Sequence, residues 1–211
     1  MKSAWNVTFA GPFAGLCGRW LCGWSLLCGW SLLGGSLALA PAVAAQETTK
    51  LELADGRLVM TAPAEWKKVA PKSSIVQYEF TAPADAAADA PAARVTIMSA
   101  GGSVEANIDR WYGQFEQADG RATKERAKTE KFDVDGQTVH WVDISGNFKE
   151  TMGGGPFSGG KTVVRQDYQM LGAIVVTPDG RQVFIKMTGP QAVVSKLSDG
   201  FRKSLKQLQS P

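Results

Sequence analysis

The chain is 211 residues long, with 23 basic and 20 acidic side chains, a net charge of +3 and a hydrophobic fraction of 44%. Charge so nearly balanced argues against nucleic-acid binding and against strong adhesion to anionic surfaces. One histidine excludes histidine-based metal clusters, and with Cys17, Cys22 and Cys28 all near the N-terminus the rest of the chain has no disulfide framework.

Residues 1–45 read as an export signal peptide. Lys2 and Arg19 are the only charges in this stretch, and both precede an apolar run from Trp20 to Ala45 that contains the tandem text LCGWSL. Ala42/Ala44 or Val43/Ala45 supplies the small-residue pair before a cleavage point, placing the cut at Ala44 or Ala45. The run exceeds the ~7–15 residues usual for a signal core and reaches the ~20 that cross a bilayer, so an uncleaved anchor is the alternative. Membrane contact is expected only through this segment, if it is retained. Leu16, Leu21 and Leu27 precede the three cysteines, which excludes a lipoprotein signal. Residues 46–211 remain as a single exported domain with 21 basic and 20 acidic groups and no cysteine. A chain of that size can bury a core by packing alone.

Leu51–Met60 reads as a hairpin turning at Asp55-Gly56. Ser74–Phe80 alternates apolar and polar residues, as a strand does. The Ala/Asp/Pro text of 82–93 has little to bury and reads as a disordered-looking, solvated loop. Arg94–Met98 is the next strand, ended by Gly101-Gly102. Ser103 is a good N-cap for a helix, with Glu105 in its first turn. Val104, Ile108, Trp111 and Phe115 form its apolar face, and Asn107, Asp109, Arg110 and Gln114 its solvent side.

A charged stretch, 121–131, leads into a hairpin of Thr129–Val134 and Thr138–Phe148 around Asp135-Gly136. A Gly-rich loop spans 152–160. Tyr168–Thr177 and Gln182–Thr188 form another hairpin around Pro178-Asp179-Gly180. The last helix opens with Pro190 in its first turn and carries the stripe Val194, Leu197, Phe201, Leu205 and Leu208. The fold class expected is α+β: an antiparallel sheet built from hairpins and packed by two amphipathic helices.

Few residues suggest chemistry. Gly155, Gly160, Lys161 and Thr162 match a phosphate-binding loop formally. Such a loop must run directly from a strand into a helix. Here the preceding strand is expected to stop near Phe148, and the following hairpin favours strand, so the match is read as spurious. His140 faces with Val142 and Ile144, away from Asp143, and no Gly-x-Ser-x-Gly text offers a nucleophile. The carboxylate pairs Asp133/Asp135 and Glu105/Asp109 are what ordinary surfaces contain, and the Lys/Arg face of the last helix is a solvated one. Tyr112, at the margin of its helix stripe, joins His140 and Lys161 as a candidate binding surface. No catalytic residue, metal or cofactor is expected.

The order of elements resembles the PsbP-like superfold, named for an extrinsic lumenal subunit of photosystem II. The stretch Gly101–Phe115 (GGSVEANIDRWYGQF) and the closing FIKMTGP of 184–190 are similar to those of uncharacterised exported bacterial proteins. The resemblance covers most of residues 50–208. It implies a docking or assembly module rather than an enzyme, and no metal or partner residue of that fold matches a position here. The expectation is therefore an exported, non-enzymatic binding or accessory module of the cell envelope, docking an envelope protein. A small-ligand carrier or enzyme, with a pocket between sheet and helix, is the alternative.

Overall fold

Turn chemistry and strand alternation account for most of the architecture. The computed structural model describes residues 49–152 and 161–211; residues 1–45, read above as an export signal with its cleavage residues Ala44 and Ala45, and most of the Gly-rich stretch 152–160 lie outside them. Strands β1 (Lys50–Leu53) and β2 (Leu58–Thr61) pair as a separate two-stranded sheet with Leu53 opposite Leu58. The turn between them places Ala54, Asp55 and Gly56 at positive φ, and an Asp-Gly pair tolerates that conformation. Leu51, Leu53, Leu58 and Met60 alternate inward and are almost fully buried.

The main sheet is antiparallel throughout. Its strands are β3 (Lys67–Val69), β4 (Tyr78–Ala82), β5 (Ala93–Ala100), β6 (Phe115–Glu116), β7 (Lys128–Val134), β8 (Gln137–Met152), β9 (Lys161–Val176) and β10 (Gln182–Pro190). They lie in the order β3-β4-β5-β10-β9-β8-β6, and β7 pairs with β8. Three helices accompany them: α1 (Val104–Tyr112), α2 (Thr123–Arg126) and α3 (Gln191–Lys206).

Because side chains alternate across a strand, this sheet has two apolar faces and builds two cores. Val139, Trp141, Leu171, Ala173, Val175, Val183, Ile185 and Met187 pack against Val194, Phe201 and Leu205 of α3 and against the β1–β2 hairpin. Val142, Ile144, Met170, Ile174 and Phe184, from the opposite parity, pack against Trp111 of α1. Helices on both faces leave neither side of the central strands in water. Gly172 makes the second packing feasible: a Cβ there would lie 2.5 Å from Trp111 Cζ3, so only glycine lets the indole settle on the sheet.

The structure departs from the sequence expectations where long-range contacts decide. The strand expected from Ser74 begins at Tyr78, because a turn closes first, with Val76 N–H donating to the Ser73 carbonyl. The ends of the 82–93 segment are strand: Ala82 and Ala93 pair and are buried. Gly189 passes so near Ala93 that its own Cβ would approach Ala93 Cα to 2.7 Å, and small residues are needed on both sides. Helix α1 ends at Tyr112, so Phe115 is buried as a strand residue, paired with Phe148. The charged 121–131 stretch contains α2, a third helix that had no apolar stripe to announce it.

Strand β8 runs on to Met152 and β9 starts at Lys161, well beyond the expected ends at Phe148 and Tyr168. Between Gly146 and Phe148 the register shifts, because β9 carries an extra residue between Tyr168 and Arg165, where Asp167 takes a positive φ, and the pairing continues beyond. Pro190 ends β10 and occupies the N-cap position of α3 instead of its first turn, and Leu208 is buried beyond the helix end.

Candidate functional site

Helix α1 is held firmly at its start. Ser103 Oγ accepts from the Ala106 N–H at 3.1 Å, which satisfies one of the free donors of the first turn. Asn107, expected on the solvent side, is buried instead, and its amide donates to the carbonyls of Gly101 (3.1 Å) and Ser103 (2.9 Å). With Trp111 seated over Gly172, the helix cannot roll, and the flank bearing Glu105, Asp109 and Tyr112 is fixed. Helix α2 is tied below it by Thr123 Oγ1, which donates to the Phe115 carbonyl at 3.1 Å.

The opposite wall comes from the β7–β8 hairpin. Asp135 and Gly136 both have positive φ, the signature of a two-residue type I′ turn, and this sets Val134 opposite Gln137 and Lys131 opposite His140. Between α1 and this hairpin runs a groove of about 290 Å³. Glu105, Ile108, Asp109 and Tyr112 line one side, Lys124, Thr129 and Lys131 the other, and His140 its floor. An adjoining hollow of about 610 Å³ shares Asp109, Tyr112 and Lys124 and extends to Phe115 and Arg121.

The electrostatics follow from this placement. The α1 wall carries Glu105 and Asp109. The α2–β7 wall carries Lys124 and Lys131 together with Glu130, whose carboxylate is neutralised by Arg202. No ion pair within 4.0 Å joins the two walls among the described residues. Burial pushes the Tyr112 hydroxyl above the ordinary tyrosine value, and Asp109 adds to the effect. Burial also holds His140 below the ordinary histidine value, with Lys131 acting in the same direction and Glu105 and Asp133 opposing it. The imidazole is thus neutral at neutral pH and can both donate and accept a hydrogen bond.

Of the three residues singled out as a binding surface, the fold brings together Tyr112 and His140. Lys161 is elsewhere: it opens β9, exposed, opposite Met152, and Thr162 follows opposite Thr151. Of the formal phosphate-loop motif, Gly155 and Gly160 lie outside the described residues, while the strand before it reaches Met152 and a strand rather than a helix follows. Asp143 points to the other face of the sheet from His140, where it accepts from Gln169 Nε2 at 2.7 Å.

Sequence reasoning missed a second polar group. Glu79 is buried and receives a bidentate pair from Arg94 at 2.8 and 2.9 Å, with the Lys72 N–H donating at 2.9 Å. The Arg94 hydrogen bonds hold the Glu79 carboxyl below its ordinary value despite burial. Lys186, two strands away, donates to Gln114 Oε1 at 3.1 Å, and burial pushes its ammonium down to about 8. A lysine inside the apolar text Val183–Met187 was the available signal. Among the described residues no group of three or more His, Cys, Asp or Glu is placed to hold a metal ion, and no helix is long and apolar enough to cross a membrane.

No protein-family model matches the chain, and no curated protein matches it. Among solved structures it is similar to the solution structure of cyanobacterial PsbP (CyanoP) from Synechocystis sp. PCC 6803. The two share 12% identity with a TM-score of 0.46, over 84% of this chain and 100% of that one. This is a weak structural likeness to a PsbP-like fold protein, and it concerns the fold alone.

Proposed function

We propose that this chain is an exported, non-enzymatic binding module that holds a segment of an envelope protein in the groove between α1 and the β7–β8 hairpin. One observation carries the reading: Tyr112 and His140 converge on a groove whose acidic and basic walls do not neutralise each other. A polypeptide segment suits such a groove, because its backbone and mixed side chains present donors and acceptors to both walls while its apolar groups meet Ile108 and the Tyr112 ring.

Benzoylphenylalanine placed at Tyr112 and irradiated in intact cells is expected to crosslink to one discrete protein. The same probe at exposed Asp89 is expected to give none. Equal, non-specific background at both positions refutes the docking reading. The same juxtaposition supports a small-ligand carrier as a second reading. Native mass spectrometry of the purified chain separates the two: a small ligand that is retained, and lost in Tyr112→Ala, favours the carrier.

A further inference from the structure

We propose that β7 is a self-pairing edge, through which two copies of this chain join their sheets antiparallel about Phe132. This goes beyond the binding reading and does not depend on it. The main sheet ends on β3 at one side and, at the other, on the two-residue β6 and on β7, both paired with β8. Strand β3 is three residues long and carries Lys67 and Lys68, both exposed, so two copies brought together there repel. Short, lysine-bearing edges of this kind resist association. Strand β7 is seven residues long, pairs only with β8, and is exposed along most of its length.

Hydrogen-bond parity specifies which groups of β7 are free. In a two-residue hairpin the flanking pair, here Val134 and Gln137, exchanges both backbone bonds. Bonding alternates from there, so Phe132 and Glu130 also turn their backbone groups to β8, whereas Thr129, Lys131 and Asp133 turn theirs outward. An antiparallel two-fold contact must centre on a residue that faces its own copy. Three such registers pair five or more residues of this strand, centred on Glu130, Lys131 or Phe132. The first sets Glu130 against Glu130 and the second Lys131 against Lys131.

Only the Phe132 register is free of like-charge pairs. It places Lys131 opposite the second copy's Asp133, and Asp133 opposite the second copy's Lys131, with Phe132 against Phe132 on the other face. The outward backbone groups of Lys131 and Asp133 then find partners. Lys131 forms no ion pair within its own chain among the described residues, while Asp133 accepts only from Thr138 Oγ1 at 2.8 Å. Both are thus available for the contact, and opposite charges directly across strands attract as like charges repel. A two-fold axis normal to the sheet keeps both α1 faces on one side, so the two grooves open in the same direction and can engage a repeated or dimeric partner together.

Sedimentation equilibrium of the purified full chain, in a mild detergent that keeps its apolar N-terminal segment dispersed, tests the pairing. The expected result is a concentration-dependent dimer, with K131D and D133K each raising its dissociation constant about tenfold or more. The exchanged variant K131D/D133K is expected to return close to the original affinity. Circular dichroism checks that each exposed-site variant remains folded. A chain that stays monomeric at millimolar concentration overturns the proposal. So does a dimer that is indifferent to the two single changes, or one that the double exchange fails to restore.

Discussion

Replacing Lys186 by methionine should stabilise the protein at neutral pH. The side chain stands on β10 between Thr96 and Gly172 of the neighbouring strands, and its Nζ donates to Gln114 Oε1 at 3.1 Å. Burial, with the Arg94 charge adding to it, lowers the ammonium from 10.5 to about 8. At 1.36 kcal/mol per pH unit, that gap corresponds to roughly 3 kcal/mol that folding loses by holding the charge in the sheet. Methionine removes the charge and keeps most of the volume, while the lost hydrogen bond offsets about 1 kcal/mol. The net gain expected for Lys186→Met at pH 7 is therefore about 2 kcal/mol.

The pH dependence has a definite sign. Above about pH 8 the folded lysine releases its proton, whereas the unfolded one keeps it up to 10.5. In that window the unfolded state binds more protons, so wild-type stability rises with pH and the advantage of Lys186→Met shrinks. Tyr112 acts oppositely, since its raised value makes its stabilisation fade only as pH passes the ordinary tyrosine value of 10.0. Subtracting the two proteins' urea unfolding free energies at each pH isolates the lysine. A variant less stable than wild type at neutral pH, or a difference that stays flat across the window, refutes the reasoning.

Two further perturbations probe the same face of the sheet, on either flank of this residue. Gly172→Ala forces its new methyl into the Trp111 ring, 2.5 Å away. A loss of about 2–3 kcal/mol is expected, with a shift in tryptophan fluorescence as the indole is displaced. Unchanged stability and emission would show that Trp111 has room to yield. Arg94→Met leaves the buried Glu79 carboxylate with only the Lys72 N–H, and should cost about 3 kcal/mol at neutral pH. In the wild type, the contribution of Glu79 is present above the ordinary carboxylate range and lost as acid protonates it, because its folded value is lowered. In the variant burial still raises the carboxyl while only the Lys72 N–H and charge lower it, so the loss of stability on acidification should be smaller than in the wild type. Urea titrations at about pH 4 and pH 7 compare the two slopes, and parallel slopes would contradict the assignment.

Local text determined a good deal of this protein. Asp55-Gly56, Asp135-Gly136 and Pro178-Asp179-Gly180 mark turns because few other residue pairs accept the backbone those turns require. Ser103 marks the start of α1 because a hydroxyl there satisfies an N–H that the helix leaves free, and alternation marks the strands that face a core. Lys161–Asp167 escaped that reading because this part of β9, a hairpin arm with β8, has little buried surface to impose a period of two.

What the tertiary structure alone decided is which elements face each other. Sheet order and register rest on pairings far apart in sequence, and the parity they impose sends α1 and α3 to opposite faces. Asn107 is buried only because the Gly101–Ser103 loop folds back over it, and the half-buried Lys186 meets Gln114 only because the fold brings together residues 72 positions apart. The same holds for the groove. Tyr112 and His140 are 28 positions apart, and neither residue's neighbours announce the other. They meet because Trp111 locks α1 onto the sheet while a two-residue turn returns β8 beside β7, and both are long-range packing events that no local periodicity encodes.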